Sequence, residues 1–302
     1  MVRGTSGSDR FTGTNGDDQF FGLDGNDTLI GSIGNDFFDG GSGFNTADYS
    51  SLSAQLTLKP TGALEKSGLG TDQLFKVQRI IGSNNFNIID ASTAGGAVSI
   101  DVNLAQESLV VSNIPGLGAL NLSVARFNWV IGTNNADRIV GGQASDLLRG
   151  LAGNDTIVGG GADDILIGQG GNDFVDGQSG RDRLLGTDND TRGRNEVDVV
   201  IGGSGNDGFV LGSRVGSFYN NNGNDDLIRI PDFSKGDFFE LGINQTYQAE
   251  RTSRGFNLLA VQNGTRDLVA EVTTTSFIKL PQNNFTITAN QGVGIFRPSA
   301  SF

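Results

Sequence analysis

The chain contains no histidine and no cysteine among its 302 residues. Without histidine there is no Ser-His-Asp triad, no imidazole base and no zinc site of the HExxH kind. Without cysteine there is no thiol nucleophile, no disulfide and no iron–sulfur ligand. Proline is scarce, 5 residues against 47 glycines, and a disordered low-complexity chain usually carries both together. Basic residues are outnumbered, 21 Lys and Arg against 34 Asp and Glu, for a net charge of -13. That balance, with no basic face, argues against nucleic acid as a partner. No stretch approaches the roughly 20 apolar residues of a membrane helix. The opening residues Met1 to Gly7 hold no apolar signal-peptide core. Hydrophobic residues make up 36% of the chain, which is low for one compact core of this length.

A repeat is what the chain does have. Glycines recur at Gly4, Gly13, Gly22, Gly31 and Gly40, in units reading GTSGSDRFT, GTNGDDQFF, GLDGNDTLI, GSIGNDFFD and GGSGFNTAD. The sixth position holds Asp9, Asp18, Asp27 and Asp36 and then Asn45, and the eighth holds Phe11, Phe20, Leu29 and Phe38. A second array starts at Gly132, with Asp137, Asp146, Asp155, Asp164, Asp173 and Asp182 at sixth positions. Its eighth positions are Ile139, Leu148, Ile157, Leu166, Val175 and Leu184. A polar insertion from Thr187 to Glu196 interrupts it, and the phase resumes with Asp198 and Val200, then Asp207 and Phe209. Single Asp and Gly residues are ordinary turn formers, but that does not account for ten units with fixed phasing.

The unit GLDGNDTLI (residues 22–30) explains the chemistry. Its last three residues make a short strand with Leu29 inward, and glycine lets the first six turn tightly. Two units close an 18-residue coil, and stacked coils lie about 4.8 Å apart with parallel strands. Asp27 then stacks on Asp9, and Asp36 on Asp18. The further complete pairs are 137/155, 146/164, 155/173 and 164/182. Two such turns offer carboxylates and main-chain carbonyls, the donors calcium (Ca2+) takes six to eight at a time. Magnesium demands a smaller and stricter octahedron, and softer metals lack their N and S ligands. Six calcium ions would offset about 12 of the 13 net negative charges. The expected metal ligands are therefore Asp9, Asp18, Asp27, Asp36, Asp137, Asp146, Asp155, Asp164, Asp173, Asp182, Asp198 and Asp207.

Between the arrays, Val98, Ile100, Val102 and Leu104 alternate with other residues, as do Leu120, Leu122 and Val124. Period two predicts half-buried strands, with a turn region at Asn113-Ile114-Pro115-Gly116 between them. Ile80 to Asp90 reads as a degenerate repeat in which the aspartate has become Asn87. Near the C-terminus, Phe256 to Val261 and Leu268 to Val272 flank Asn263-Gly264, a hairpin signal. The expected fold class is all-β: a parallel β-roll (β-solenoid) in two nonapeptide arrays, with an intervening β segment and a C-terminal β cap. The expected segments are a first array at 1–50, a β segment continuous with the roll at 51–131, a second array with its flank at 132–242, and a cap at 243–302.

These units resemble the RTX, or haemolysin-type, calcium-binding nonapeptide G-G-x-G-x-D-x-U-x. Asp226 to Leu241 resembles the segment that often follows such arrays. Thr46 to Ser50 and Gly132 to Asp137 are similar to cyanobacterial secreted members. Ala144, Ala162 and Asn135 depart from the pattern at its fourth-position glycine. The resemblance implies type I secretion through an uncleaved C-terminal signal, a secreted or cell-surface location, and folding triggered by extracellular calcium. The partners it implies are calcium, the secretion machinery, and a cell-surface glycan or other surface protein.

Family members often carry a protease, lipase or lyase domain. Here no G-x-S-x-G elbow exists, since Ser42, Ser179 and Ser204 each fail at a flanking glycine. A structural or adhesive protein without catalysis is the expectation. The alternative is a secreted polysaccharide-acting glycosidase or lyase using carboxylates alone. Asp188 to Gly193 starts like an EF-hand loop, but Arg192 and Val199 stand at ligand positions. The Thr273-Thr274-Thr275 run lacks the ladders of an ice-binding face.

Overall fold

A computed structural model describes residues 1–188, 193, 195–213, 216–219, 226–242, 245–262, 265–274, 285–289 and 294–296. The turn Asn263-Gly264, Thr275 of the threonine run, residues 189–192 of the EF-hand-like stretch and the tail from 297 lie outside the described residues. The chain forms an all-β parallel roll in two compact units, Met1–Thr133 and Asn134–Phe302. Among the described residues the one helical element is a 3-10 turn, Leu104–Gln106.

In the first unit each nonapeptide ends in a three-residue strand: Arg10–Thr12, Gln19–Phe21, Thr28–Ile30, Phe37–Asp39 and Thr46–Asp48. Side chains alternate across a strand, so only the middle residue faces inward. Phe11, Phe20, Leu29, Phe38 and Ala47 are all buried. Successive strands belong to opposite parallel sheets, and one coil takes two units: Phe11 lies beside Leu29, Phe20 beside Phe38, and Leu29 beside Ala47.

Two antiparallel meanders are let into these sheets. Leu56–Leu58, Ala63–Lys66 and Gly70–Phe75 form one, with Gly70–Phe75 parallel to Phe37–Asp39 and Leu56–Leu58 parallel to Ile88–Asp90. Ser99–Asn103, Ser108–Ile114 and Gly118–Ala125 form the other, with Gly118–Ala125 parallel to Arg79–Ile81. The alternating residues Val98, Ile100, Val102, Leu122 and Val124 are buried as period two requires. The two alternating runs are not neighbours, however. Ser108–Ile114 lies between them, because Leu109 and Val111 supply a third inward row. Leu104 leaves the strand and opens the 3-10 turn.

In the second unit Ile139, Ile157, Val175 and Val200 stack in one sheet, and Leu148, Leu166, Leu184, Phe209 and Phe239 in the other. All nine are fully buried at 0% exposure. The insertion between Leu185 and Val197 lengthens one coil without breaking it, since Phe174–Ser179 still pairs in parallel with Val197–Ile201. Four successive strands here are longer than three residues: Leu147–Ala152, Thr156–Gly161, Ile165–Gly170 and Phe174–Ser179 each run for six. Turns of equal length stack in register, so the hydrogen-bond ladder continues into them and pairs Leu151 with Gln169 and Gly160 with Gln178.

Antiparallel strands then join the sheets, although Thr265–Thr274 also pairs in parallel with Leu227–Phe233. Gln245–Arg251, Gly255–Gln262 and Thr265–Thr274 form a meander, Phe285–Ala289 pairs with its first strand, and Gly294–Phe296 pairs with Phe238–Leu241. Phe233 stacks on Phe239 at 4.6 Å, and Phe256 meets both edge-on, closing the core at this end.

Candidate metal centres

The sixth-position aspartates stand in columns, one per coil. The main-chain N–H of Asp9 donates to Oδ1 of Asp27 at 2.8 Å, and that of Asp18 to Oδ1 of Asp36 at 3.0 Å. In the second unit Asp137 donates to Asp155, Asp155 to Asp173 and Asp173 to Asp198, at 2.8–2.9 Å. Asp146 donates to Asp164, Asp164 to Asp182 and Asp182 to Asp207 over the same range. The structure thus brings all twelve expected ligands into 18-residue or insertion-lengthened steps.

One carboxylate oxygen is therefore used by the backbone, and the other is not. Oδ2 of Asp27, Asp155, Asp164, Asp173, Asp182 and Asp207 is buried with no hydrogen-bond partner. Leaving a buried carboxylate oxygen unmatched is costly. The first-position glycine of each of these six units lies against that oxygen, whereas Gly31, in the Asp36 unit, faces the Tyr49 ring. A methyl group placed on Gly150 would come within 2.1 Å of Asp155 Oδ2 and 2.9 Å of the Gly168 carbonyl oxygen. At Gly168 the corresponding contacts are 2.2 Å to Asp173 Oδ2 and 2.5 Å to the Gly186 carbonyl. A bare carboxylate oxygen and a main-chain carbonyl from the next coil meet over the same glycine, in space a side chain would fill.

That donor set fits a hard divalent cation taking oxygen alone. Among the described residues no three Asp or Glu side chains cluster closely enough to hold a metal by themselves. The carbonyls would have to supply the remaining ligands.

Electrostatics point the same way. Without a cation, burial pushes the carboxyls of Asp146 and Asp182 up to about 6, those of Asp155, Asp164 and Asp207 up to about 7, and that of Asp173 up to about 8. Burial drives Asp198 well above the usual carboxylate range. Neighbouring carboxylates add to the effect for Asp164 and Asp173. Asp18, the first of its column, is different: Thr14 donates its N–H and its hydroxyl to Oδ2, which lowers the carboxyl.

Four further expected ligands have Oδ2 engaged by the protein itself. Thr5 donates to Asp9, and Gly142 to Asp146. Ser32 and Lys66 donate to Asp36, and the Tyr219 hydroxyl donates to Asp198.

Two asparagines show how a column ends. Asn45 Oδ1 accepts the N–H of Asp27, while its Nδ2 donates to the Lys76 carbonyl at 3.0 Å. Asn87 Nδ2 donates to the carbonyls of Arg126 and Ser83. The amide places a donor where aspartate places a bare oxygen, so the facing carbonyl is satisfied without a cation.

Sequence reasoning missed Asp72 and Asp237, which continue the columns above Asp36 and Asp207. Both were detectable. Asp72 precedes buried Leu74 by two residues and Asp237 precedes buried Phe239 by two, the relation of the sixth and eighth positions. Asp72 also keeps the nine-residue phase, 36 residues after Asp36, whereas Asp237 falls outside it, 30 residues after Asp207. Glu196 was also missed: it is buried, its Oε2 accepts the Gly171 N–H and its Oε1 has no partner.

Residues 3–37, 12–47, 131–166, 149–184, 158–191 and 192–213 match the family described as RTX calcium-binding nonapeptide repeat (4 copies). Among solved structures the chain is similar to the extracellular lipase LipA from Serratia marcescens, at 18% identity and a TM-score of 0.25. That match covers 90% of this chain and 36% of the lipase chain, so this chain spans about a third of the lipase's length. No curated protein sequence matches the chain.

Proposed function

We infer that this chain, which carries RTX calcium-binding nonapeptide repeats in both units of a parallel β-roll, uses calcium as a structural ligand between its stacked coils. The observation that carries this reading is the set of six buried, unpartnered Oδ2 oxygens. Asp155, Asp164, Asp173, Asp182 and Asp207 hold the principal sites of the second unit with carbonyls of the facing turns, and Asp27 holds one in the first. Asp9, Asp18, Asp137, Asp146 and Asp198 line the same columns as weaker or terminal ligands.

Folding is coupled to the metal on this reading. Repulsion among buried carboxylates keeps the repeats open at low cytosolic calcium, and the higher calcium outside the cell drives closure. The chain leaves by type I secretion and acts as a secreted or cell-surface scaffold, with a structural or adhesive role toward a surface glycan or another surface protein. A non-catalytic role is supported by the burial of the sixth-position acids of the second unit, each 5% exposed or less. They face the gap between coils and are poorly placed to reach a polysaccharide.

The test is circular dichroism of chelator-stripped protein titrated with calcium, alongside the bound-ion count. The expected result is a cooperative gain of β structure that tracks binding. A stripped protein already folded at neutral pH and low salt would overturn the reading. Turnover of polysaccharide by the purified protein would overturn the non-catalytic part alone.

A further inference from the structure

Lys66 is the one lysine whose side chain is fully buried among the described residues, at 0% exposure. It ends the strand Ala63–Lys66, the middle strand of the meander let into the first unit. Its ammonium donates to the Ser32 main-chain carbonyl at 2.7 Å, contacts Asp36 Oδ2 at 3.5 Å, and bonds Asp72 Oδ1. Asp36 and Asp72 are successive members of one aspartate column, since the Asp36 N–H donates to Asp72 Oδ1 at 3.0 Å. The other oxygen of Asp72 accepts the hydroxyl of the fully buried Tyr49 at 2.7 Å.

The candidate calcium centres offer the same kinds of donor, a carboxylate oxygen and a turn carbonyl; around Lys66 a carboxylate oxygen from the next coil joins them. In the second unit the corresponding Oδ2 atoms of Asp155, Asp164, Asp173 and Asp182 are unpartnered. At the Asp36–Asp72 tier every carboxylate oxygen has a donor: Asp18 N–H and Ser32 hydroxyl on Asp36, Lys66 and Tyr49 on Asp72. A buried ammonium requires this kind of pairing, because an unpaired charge at that depth is strongly destabilising.

We propose that Lys66 is a built-in substitute for calcium: its ammonium fills the cation position between Asp36 and Asp72, so that this tier of the first unit closes without metal. The proposal rests on the calcium reading of the other tiers, and it removes the Asp36–Asp72 step from the set of metal sites. Calcium dependence is then unequal along the chain. The column through Asp18, Asp36 and Asp72 assembles in the absence of metal, and the columns of the second unit await it.

The experiment compares full-length wild type, Lys66→Met, and Lys66→Met combined with Asp72→Asn, each stripped and dialysed against buffered calcium, with bound ions counted by elemental mass spectrometry. Lys66→Met is expected to bind one calcium ion more than wild type, and Asp72→Asn to cancel that gain. Equal counts in wild type and a folded Lys66→Met overturn the proposal. Should Lys66→Met fail to fold in calcium, amide exchange of stripped wild type decides. The amides of Asp36 and Gln73, bonded to Asp72 Oδ1 and the Asp36 carbonyl, are expected to stay protected while those of Asp155 and Asp164 exchange freely. Equally fast exchange at all four overturns it. A wild type that binds no calcium overturns the calcium function, and the exchange comparison still judges Lys66.

Discussion

The main-chain N–H of Asp155 donates to Oδ1 of Asp173, one coil further on, at 2.8 Å, while Oδ2 of that same Asp173 has no partner. One oxygen holds the coils in register and the other is presented to the gap between them. The two atoms can be separated by mutation.

Asp173→Asn keeps the register acceptor and replaces the bare oxygen with an amide donor, as Asn45 and Asn87 already do in the first unit. The variant should bind fewer calcium ions than wild type by at least one. Losing one ion held at a hundredfold excess over its Kd costs about 2.7 kcal/mol of stability in calcium. In chelator at pH 8 or above the order should reverse, with the variant the more stable. Denaturant melts with and without calcium measure both, and the same order in both conditions would contradict the assignment.

The stripped protein should have an inverted pH profile. Burial raises the folded-state carboxyls of Asp155, Asp164 and Asp207 to about 7 and that of Asp173 to about 8. A group whose pKa rises on folding contributes stability below its unfolded value near 4, and that stability is lost as pH climbs through the folded value. Chelated protein should therefore be most stable in mild acid and lose structure between about pH 6 and 8. Calcium should abolish that loss. Ellipticity against pH in chelator checks this, and stability rising over that interval would refute it.

Gly150→Ala places a methyl 2.1 Å from Asp155 Oδ2 and 2.9 Å from the Gly168 carbonyl. It should remove binding at that tier and cost about 1–3 kcal/mol through overpacking. Gly95→Ala is the control, since nothing lies within 4 Å of the added group and its φ is not positive. Calcium titration and melts of the two separate a cradle effect from a general glycine effect.

Ala162 stands at a fourth position and adopts φ +67, whereas Ala144 and Asn135, at the same position in other units, are not in the left-handed region. Among these three fourth-position residues the left-handed strain falls on Ala162 alone, while Leu23, Leu151, Gln169 and Gln178 carry positive φ at second positions of other turns. Ala162→Gly should stabilise the calcium-bound protein by up to about 1–2 kcal/mol, the cost of left-handed backbone for a residue with a Cβ. The larger unfolded-state entropy of glycine subtracts from that gain. An unchanged or lower melting temperature would argue against strain at this turn.

Much of the roll was legible because its rules are local. A three-residue strand buries its middle side chain wherever it occurs, so Leu29, Ile157 and Leu166 could be assigned inward from the nine-residue phase. A coil of two units stacks residues 18 apart, so Asp155 could be set on Asp137 before any coordinates. The meanders were less legible. Their alternation was visible, but the strand Ser108–Ile114 between the two expected runs was not, because period two identifies a strand without naming its neighbour.

The nine-residue period dictates the repeat, its inward residues and the column of carboxylates it must build. Long-range packing settles the fate of each carboxylate. Asp72 reaches Asp36 across 36 residues that include inserted chain, and Asp237 reaches Asp207 across 30, a distance the nine-residue period does not encode. Lys66 reaches Asp36 across 30 residues, and Tyr219 reaches Asp198 across 21. Phasing sets where a carboxylate points. Whether it meets an ammonium, a phenol, an amide or an open gap depends on which distant segment packs across from it, and that contact separates a tier that needs calcium from one that does not.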